Sequence, residues 1–257
     1  MRIQYASDLH LEFRENWRIL RQDGPMDVCG DILVLAGDIG YLGDDNYDTH
    51  PFWDWASENY RQVIVALGNH EFYKFFDLSS LRDGFVGEIR PNVHYYYNSV
   101  VHIDDIDDID FIVSTLWSHI DLEDAYAAEH GVTDFRRILY GEDVLTYAEF
   151  NREHQRCFDF IKESVSESYA THKIVVTHHV PSFQLMSPEF HGSRLNGAFT
   201  VELADYIENS DIEYWIYGHS HRNIARTIGT TQCICNQFGY AFHNEHLSYD
   251  RGKYIEL

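Results

Sequence analysis

The sequence predicts an α/β fold, and three observations carry that expectation. Short, nearly continuous apolar runs recur along the chain, as strands covered on both faces do. A stretch of helical character separates the first of these runs. Each run stops at a phrase rich in metal-binding residue types, so the phrases collect at strand carboxyl ends, where open α/β sheets place their sites.

Taken in order, Arg2 to Ala6 reads as a short strand that runs into Ser7-Asp8-Leu9-His10. Asp31 to Ala36 is an apolar run that stops at Gly37-Asp38, and Gln62 to Leu67 repeats the pattern before Gly68-Asn69-His70-Glu71. Between them, Phe52 to Ala56 has helical character. From Asn92 to Trp117 the chain turns β-rich, with His94 to Tyr97, Ser99 to Ile103 and Ile109 to Trp117 expected as a meander. The acidic tract Asp104 to Asp108 lacks the glycine and terminal glutamate of a calcium loop, so a solvated turn is expected there. Residues from about 119 to 170 form a helical insert. Within it Phe150, His154, Cys157, Phe158, Ile161 and Val165 recur at helical spacing, and Thr146 with Glu149 three residues on is a capping box. The rhythm resumes with Lys173 to Thr177 before His178-His179 and Glu213 to Tyr217 before Gly218-His219-Ser220-His221. No repeat, linker or low-complexity tract divides residues 1–257, so one domain is expected.

Composition limits the function classes. There are 19 basic and 42 acidic residues, a formal charge of −23, which repels nucleic-acid backbones and anionic membranes. A small phosphorylated substrate stays compatible, because bound divalent ions bring positive charge to the site itself. Cys29, Cys157, Cys233 and Cys235 are too few and too scattered for a disulfide framework or a zinc site, and as plain thiols they suit a reducing cytoplasm. No apolar run reaches the roughly 18 residues of a membrane span.

The five phrases supply carboxylates, an amide and imidazoles, a donor mixture that holds two divalent ions side by side. Asp8 and His10, two apart on an extended segment, point the same way and grip one ion. Asp38 is the right type to bridge two cations, Asn69 offers a neutral oxygen, and His178, His219 and His221 complete the shells. The glycines before Asp38, Asn69 and His219 allow the sharp turns that bring side chains to the ions. The tandem His178-His179 leaves two registers. His178, directly after the strand, is preferred as the ligand, with His179 as the alternative or as a substrate contact.

This series, D-x-H, G-D, G-N-H-[DE], H and G-H-x-H, resembles the calcineurin-like metallophosphoesterase superfamily from Asp8 to His221. The resemblance implies a four-layer αββα sandwich of two mixed sheets, with the metal site at the strand carboxyl ends. It implies that Asp8, His10 and His221 hold the first ion, that Asp38 bridges, and that Asn69, His178 and His219 hold the second. His70 is then the catalytic imidazole, and Glu71 either orients it or points away from it. The implied activity is hydrolysis of small phosphomonoesters or phosphodiesters by a metal-bridging hydroxide, with manganese, iron, zinc or cobalt as the ions. A nuclease, a protein phosphatase or a non-catalytic scaffold on the same fold are the competing readings. The first two are disfavoured by the acidic surface and the lack of a basic groove, the last by the full ligand set. For substrate contacts the weak candidates are Trp117, Arg136 (with its neighbour Arg137) and His179, but core packing is the preferred reading for Trp117 and an ion pair for the arginines.

Overall fold

The computed structural model describes residues 1–74, 76–103 and 108–257; the tract 104–107, expected as a turn, lies outside them. In chain order the strands are β1 (Arg2–Ala6), β2 (Ile32–Ala36), β3 (Gln62–Ala66), β4 (Phe85–Arg90), β5 (Val93–Tyr97), β6 (Ser99–Ile103) and β7 (Ile109–Val113). They continue with β8 (Leu139–Tyr140), β9 (Asp143–Val144), β10 (His172–Val176), β11 (Tyr214–Ile216), β12 (Arg226–Ile228), β13 (Thr231–Ile234) and β14 (Tyr254–Glu256). One six-stranded sheet has the order β14-β1-β2-β3-β5-β4, the other β12-β13-β11-β10-β7-β6, and β8-β9 is a separate small hairpin. Both large sheets are mixed. β1, β2, β3 and β5 run parallel in the first, and β7, β10, β11 and β13 run parallel in the second.

The apolar runs have the composition they have because both faces of each sheet are covered. Ile32, Val34 and Ile64 point from the first sheet onto Phe111, Ile174 and Ile216 of the second, forming the core between the sheets. The alternate residues Leu33, Leu35, Val63 and Val65 pack outward on Phe52, Trp53 and Ala56 of the helix Pro51–Asn59. On the far side, Ile112, Val175 and Trp215 meet Ile161 and Val165 of the helix Tyr147–Glu167. Helix, sheet, sheet and helix therefore stack as four layers.

The helix Tyr147–Glu167 carries the expected capping box: Thr146 accepts from the Glu149 backbone N–H, and Glu149 accepts from that of Thr146. Phe150, His154, Cys157, Ile161 and Val165 form its buried stripe. The rest of the predicted helical insert is more broken, with short helices Ala125–Gly131 and Asp134–Arg137 before the β8-β9 hairpin.

The expected meander from Asn92 to Trp117 does not form. β5 pairs with β3 in the first sheet, whereas β6 pairs with β7 in the second. The chain crosses between sheets at Asn98, which is buried with φ of 45°. Its amide donates to Asp83 at 2.7 Å and its oxygen accepts from Ser114 at 2.7 Å, so the crossing is fixed by side-chain bonds that a local reading of the sequence cannot see. The last expected strand also ends early. Leu116 and Trp117 have φ of 68° and 53°, incompatible with an extended strand.

Candidate dinuclear metal centre

Parallel strands of the two sheets end along one shared edge, and the five phrases follow those ends. Asp8, Asp38 and Asn69 come two or three residues after β1, β2 and β3, and His178 and His219 follow β10 and β11. The backbone there is unusual. Asp8, His10, Asp38, His219 and His221 all have positive φ, from 47° to 74°. A left-handed conformation costs an L-residue roughly 1–2 kcal/mol, so five at one site mark a constellation held against local preference. The preceding glycines earn their place sterically. A Cβ on Gly37 would lie 2.5 Å from the His178 ring, and one on Gly68 would lie 2.3 Å from Asp38.

Three groups of facing donors result among the described residues; one is His10, Glu12 and His70, and the other two share Asp38. Asp8, His10, Asp38 and His221 form the first of these two; Asp38, His178 and His219 form the second, with ligand atoms within 4.8 Å of one another in each group. The two carboxylate oxygens of Asp38 divide between them: Oδ1 is 3.3 Å from His178 Nε2, and Oδ2 is 3.7 Å from His10 Nε2. Asn69 Oδ1 joins the second group at 3.0 Å from His178 Nε2.

The donor atoms meet in a way that calls for positive charge between them. His10 Nε2 lies 3.0 Å from His221 Nε2, and His178 Nε2 lies 3.0 Å from His219 Nδ1. The outer nitrogens of three of these rings are already committed. His10 Nδ1 faces Glu12 at 3.1 Å, His178 Nδ1 faces the Ala36 carbonyl at 2.8 Å, and His221 Nδ1 faces Glu245 at 2.7 Å. Such partners fix the tautomer so that lone pairs turn inward, the arrangement found behind metal-binding histidines. Two inward lone pairs at 3.0 Å need a proton or a cation between them, and the residues present therefore fit divalent ions.

The electrostatics agree. Burial opposes charge on Asp38, yet His178, His70 and His10 outweigh it and hold the carboxyl well below its usual range. Burial likewise opposes charge on His178, but Asp38 pushes this imidazole up to about 9, and Asp8 and Glu245 push His221 up to about 10. The carboxylates around these two rings favour positive charge on them. Burial dominates at His219, whose pKa falls and whose Nε2 has no partner.

Of the two readings of Glu71, the structure shows the one in which it points away from His70. Glu71 does not touch the His70 ring. Its carboxylate accepts backbone N–H bonds from Asp38, Ile39, Gly40 and Gly68 at 2.7–3.1 Å, tying two of the strand-end loops together. Glu12 takes the orienting position, with Oε1 at 2.8 Å from His70 Nδ1. The same oxygen faces His10, so one carboxylate serves both rings. The signal in the sequence was its place two residues after His10. The opposite nitrogen of His70, Nε2, faces the Tyr240 hydroxyl at 3.2 Å and the cleft.

That cleft has a volume of about 570 Å³ and opens over both groups. Phe13, Tyr41, Phe190, Leu195, Phe199 and Tyr240 give its lining an aromatic and aliphatic character. Of the weak substrate candidates, Trp117 is fully buried between Phe72, Phe150 and His179, and it packs in the core. His179 is buried beneath His219, with neither ring nitrogen hydrogen-bonded, and belongs to neither donor group. Arg136 binds the carbonyl of His130 on the exposed side, whereas Arg137 and Arg222 line the cleft.

The sequence profile of the calcineurin-like phosphoesterases matches residues 1–223. The chain belongs to the calcineurin-like phosphoesterase family. A protein of Acanthamoeba polyphaga mimivirus is 27% identical over 279 residues, covering 99% of this chain and 96% of that one. Among solved structures, the phosphopantetheinyl hydrolase of Mycobacterium tuberculosis superimposes with a TM-score of 0.68 at 16% identity, covering 98% of this chain and 95% of that one. At that identity the likeness speaks for the fold. The calcineurin-like architecture accounts for the shared edge described above: two sheets must meet for residues from β1, β2, β3, β10 and β11 to converge.

Proposed function

We propose that the protein is a dinuclear metal-dependent phosphoesterase acting on small phosphomonoesters or phosphodiesters in the cytoplasm. The observation that carries this reading is the pair of inward-facing donor groups joined through one carboxylate, Asp38, beneath a cleft. Asp8, His10 and His221 would hold one ion, Asn69, His178 and His219 the other, and Asp38 both. When bound, two such ions supply a hydroxide nucleophile near neutral pH and neutralise charge on the phosphoryl oxygens. Manganese, iron, zinc and cobalt all suit this mixed donor set.

The chain's own groups do the rest. Glu12 holds His70 by Nδ1, so Nε2 faces the cleft and a proton there can pass to the departing alkoxide. Arg137 and Arg222 are the cationic side chains on the cleft wall and suit the phosphate oxygens that face away from the ions. The aromatic and aliphatic walls favour a leaving group with an apolar face. A cleft of this size takes a small ester, and the acidic surface disfavours long nucleic acid. The four cysteines are unpaired, in keeping with a reducing compartment, and among the described residues no helix is long and apolar enough to cross a membrane.

The test is a manganese-supplemented panel of aryl phosphomonoesters, aryl diesters, cyclic nucleotides, mononucleotides and phosphopantetheinyl esters. His70→Ala should retain two ions and lose turnover, and Asp38→Asn should lose both. A chain that binds no metal and hydrolyses no aryl ester would overturn the proposal.

A further inference from the structure

The residue that holds Asn69 comes from outside every sequence phrase. Asp134 lies at the start of the short helix Asp134–Arg137 in the insert, and only 1% of its surface is exposed. It makes no capping bond to its own helix, and the cap position, Thr133, makes none either. Instead its carboxylate reaches across to the strand-end loop. Oδ1 accepts from Asn69 Nδ2 at 2.9 Å and from the Tyr73 hydroxyl at 2.6 Å.

This pairing determines which end of Asn69 faces the candidate ion. A carboxylate offers acceptors only, whereas a carboxamide has one donor end and one acceptor end. With the NH2 end drawn to Asp134, Asn69 Oδ1 must turn the other way, toward His178 Nε2 at 3.0 Å. The opposite orientation would set oxygen against carboxylate on one side and present N–H groups to a cation on the other. Tyr73 extends the same bond network to the catalytic ring: its hydroxyl binds Asp134 and its ring lies 4.5 Å from that of His70, tilted by 31°.

We infer that Asp134 is a positioning residue for the second ion, fixing the Asn69 amide with its oxygen toward the metal. The inference rests on the dinuclear reading. The insert thus acts on the metal centre through one buried carboxylate, besides walling the cleft.

The experiment is calorimetric titration of the metal-stripped protein with manganese alone, with thermal unfolding recorded beside it. Wild type should take two ions. Asp134→Ala should weaken one of them by about 10–100-fold, the usual cost of losing an outer-shell partner, and leave the other unchanged. Asp134→Asn, which keeps an acceptor oxygen, should recover most of that loss. Where Asp134→Ala does not fold, Asp134→Glu, which moves the oxygens by one methylene, should show the same one-ion weakening. Unchanged affinity for both ions, equal weakening of both with a matching loss of thermal stability, or an Asn variant as weak as Ala would overturn the inference. A wild type that takes fewer than two ions would overturn the dinuclear reading itself, and the inference with it.

Discussion

Glu71 follows His70 in sequence, yet the structure makes it a structural tie, and that difference is measurable. Its carboxylate is fully buried and accepts four backbone N–H groups: Asp38 at 2.9 Å and Gly68 at 2.7 Å on Oε2, Ile39 at 2.7 Å and Gly40 at 3.1 Å on Oε1. Hydrogen bonds to a charged group contribute about 1.5–3 kcal/mol each, so a plain sum would reach 6–12 kcal/mol, as large as the whole stability of a typical domain. Burial offsets part of it, pushing the Glu71 carboxyl up to about 7 with the help of Asp38. Breaking a buried charged network by removing one partner typically costs about 3–5 kcal/mol, and Glu71→Ala should fall there. Glu71→Gln keeps one oxygen and turns an NH2 group toward two N–H donors, so about 2–4 kcal/mol is expected. The assay is urea unfolding of the metal-stripped protein. If Glu71→Gln unfolds at the wild-type midpoint, or if it instead changes the pH profile of turnover with stability intact, the tie is wrong and the orienting role returns.

Glu12→Gln tests the residue that does face His70. At saturating metal it should lower kcat by about 10–100-fold and shift the limb of the pH–rate profile assigned to His70; an unshifted profile would count against it. Metal removal should destabilise the fold, since ions bind only the assembled cage: at 100 times Kd each site contributes about 2.7 kcal/mol, so two-site loading contributes about 5.4 kcal/mol, or roughly 11–22 °C in Tm for a chain of this size. A chelator that leaves Tm unchanged would contradict the cage. His154, away from the centre, is buried, with Nδ1 at 3.1 Å from the Leu116 carbonyl, and burial lowers its pKa. The unfolded chain therefore binds the extra proton, and stability should fall as pH drops through about 6.5. His154→Gln should show a smaller fall in urea midpoint between pH 8 and 5 than wild type; parallel slopes would refute the assignment.

Much of this was legible in the sequence because burial on both faces leaves a plain mark. β2, β3, β10 and β11 read directly as apolar runs and β1 as a short strand, and the phrases after them named the residues that the structure gathers at one edge. The long helix was equally plain from its stripe and its Thr146–Glu149 box. What stayed hidden depends on contacts distant in sequence or on backbone that leaves the regular regions. Val93–Tyr97 and Ser99–Ile103 look like one hairpin until Asn98, tied to Asp83 and Ser114, sends them to different sheets. The strand expected to run to Trp117 ends at Val113, and left-handed turns at Leu116 and Trp117 follow it, with Trp117 in the core as preferred. Glu245 reaches His221 across 24 residues and Asp134 reaches Asn69 across 65, and neither carries a local pattern. The role of Glu71 stayed open because adjacency in sequence is not adjacency of side chains: in the tight turn His70–Phe72 successive side chains diverge.

The most direct test of the central claim is turnover of an aryl phosphate ester measured against manganese bound per chain, starting from the metal-stripped protein. No turnover is expected without metal, and a plateau is expected at two ions per chain, with Asp38→Asn never reaching it. Turnover that persists in the stripped protein, or a plateau complete at one ion, would contradict it.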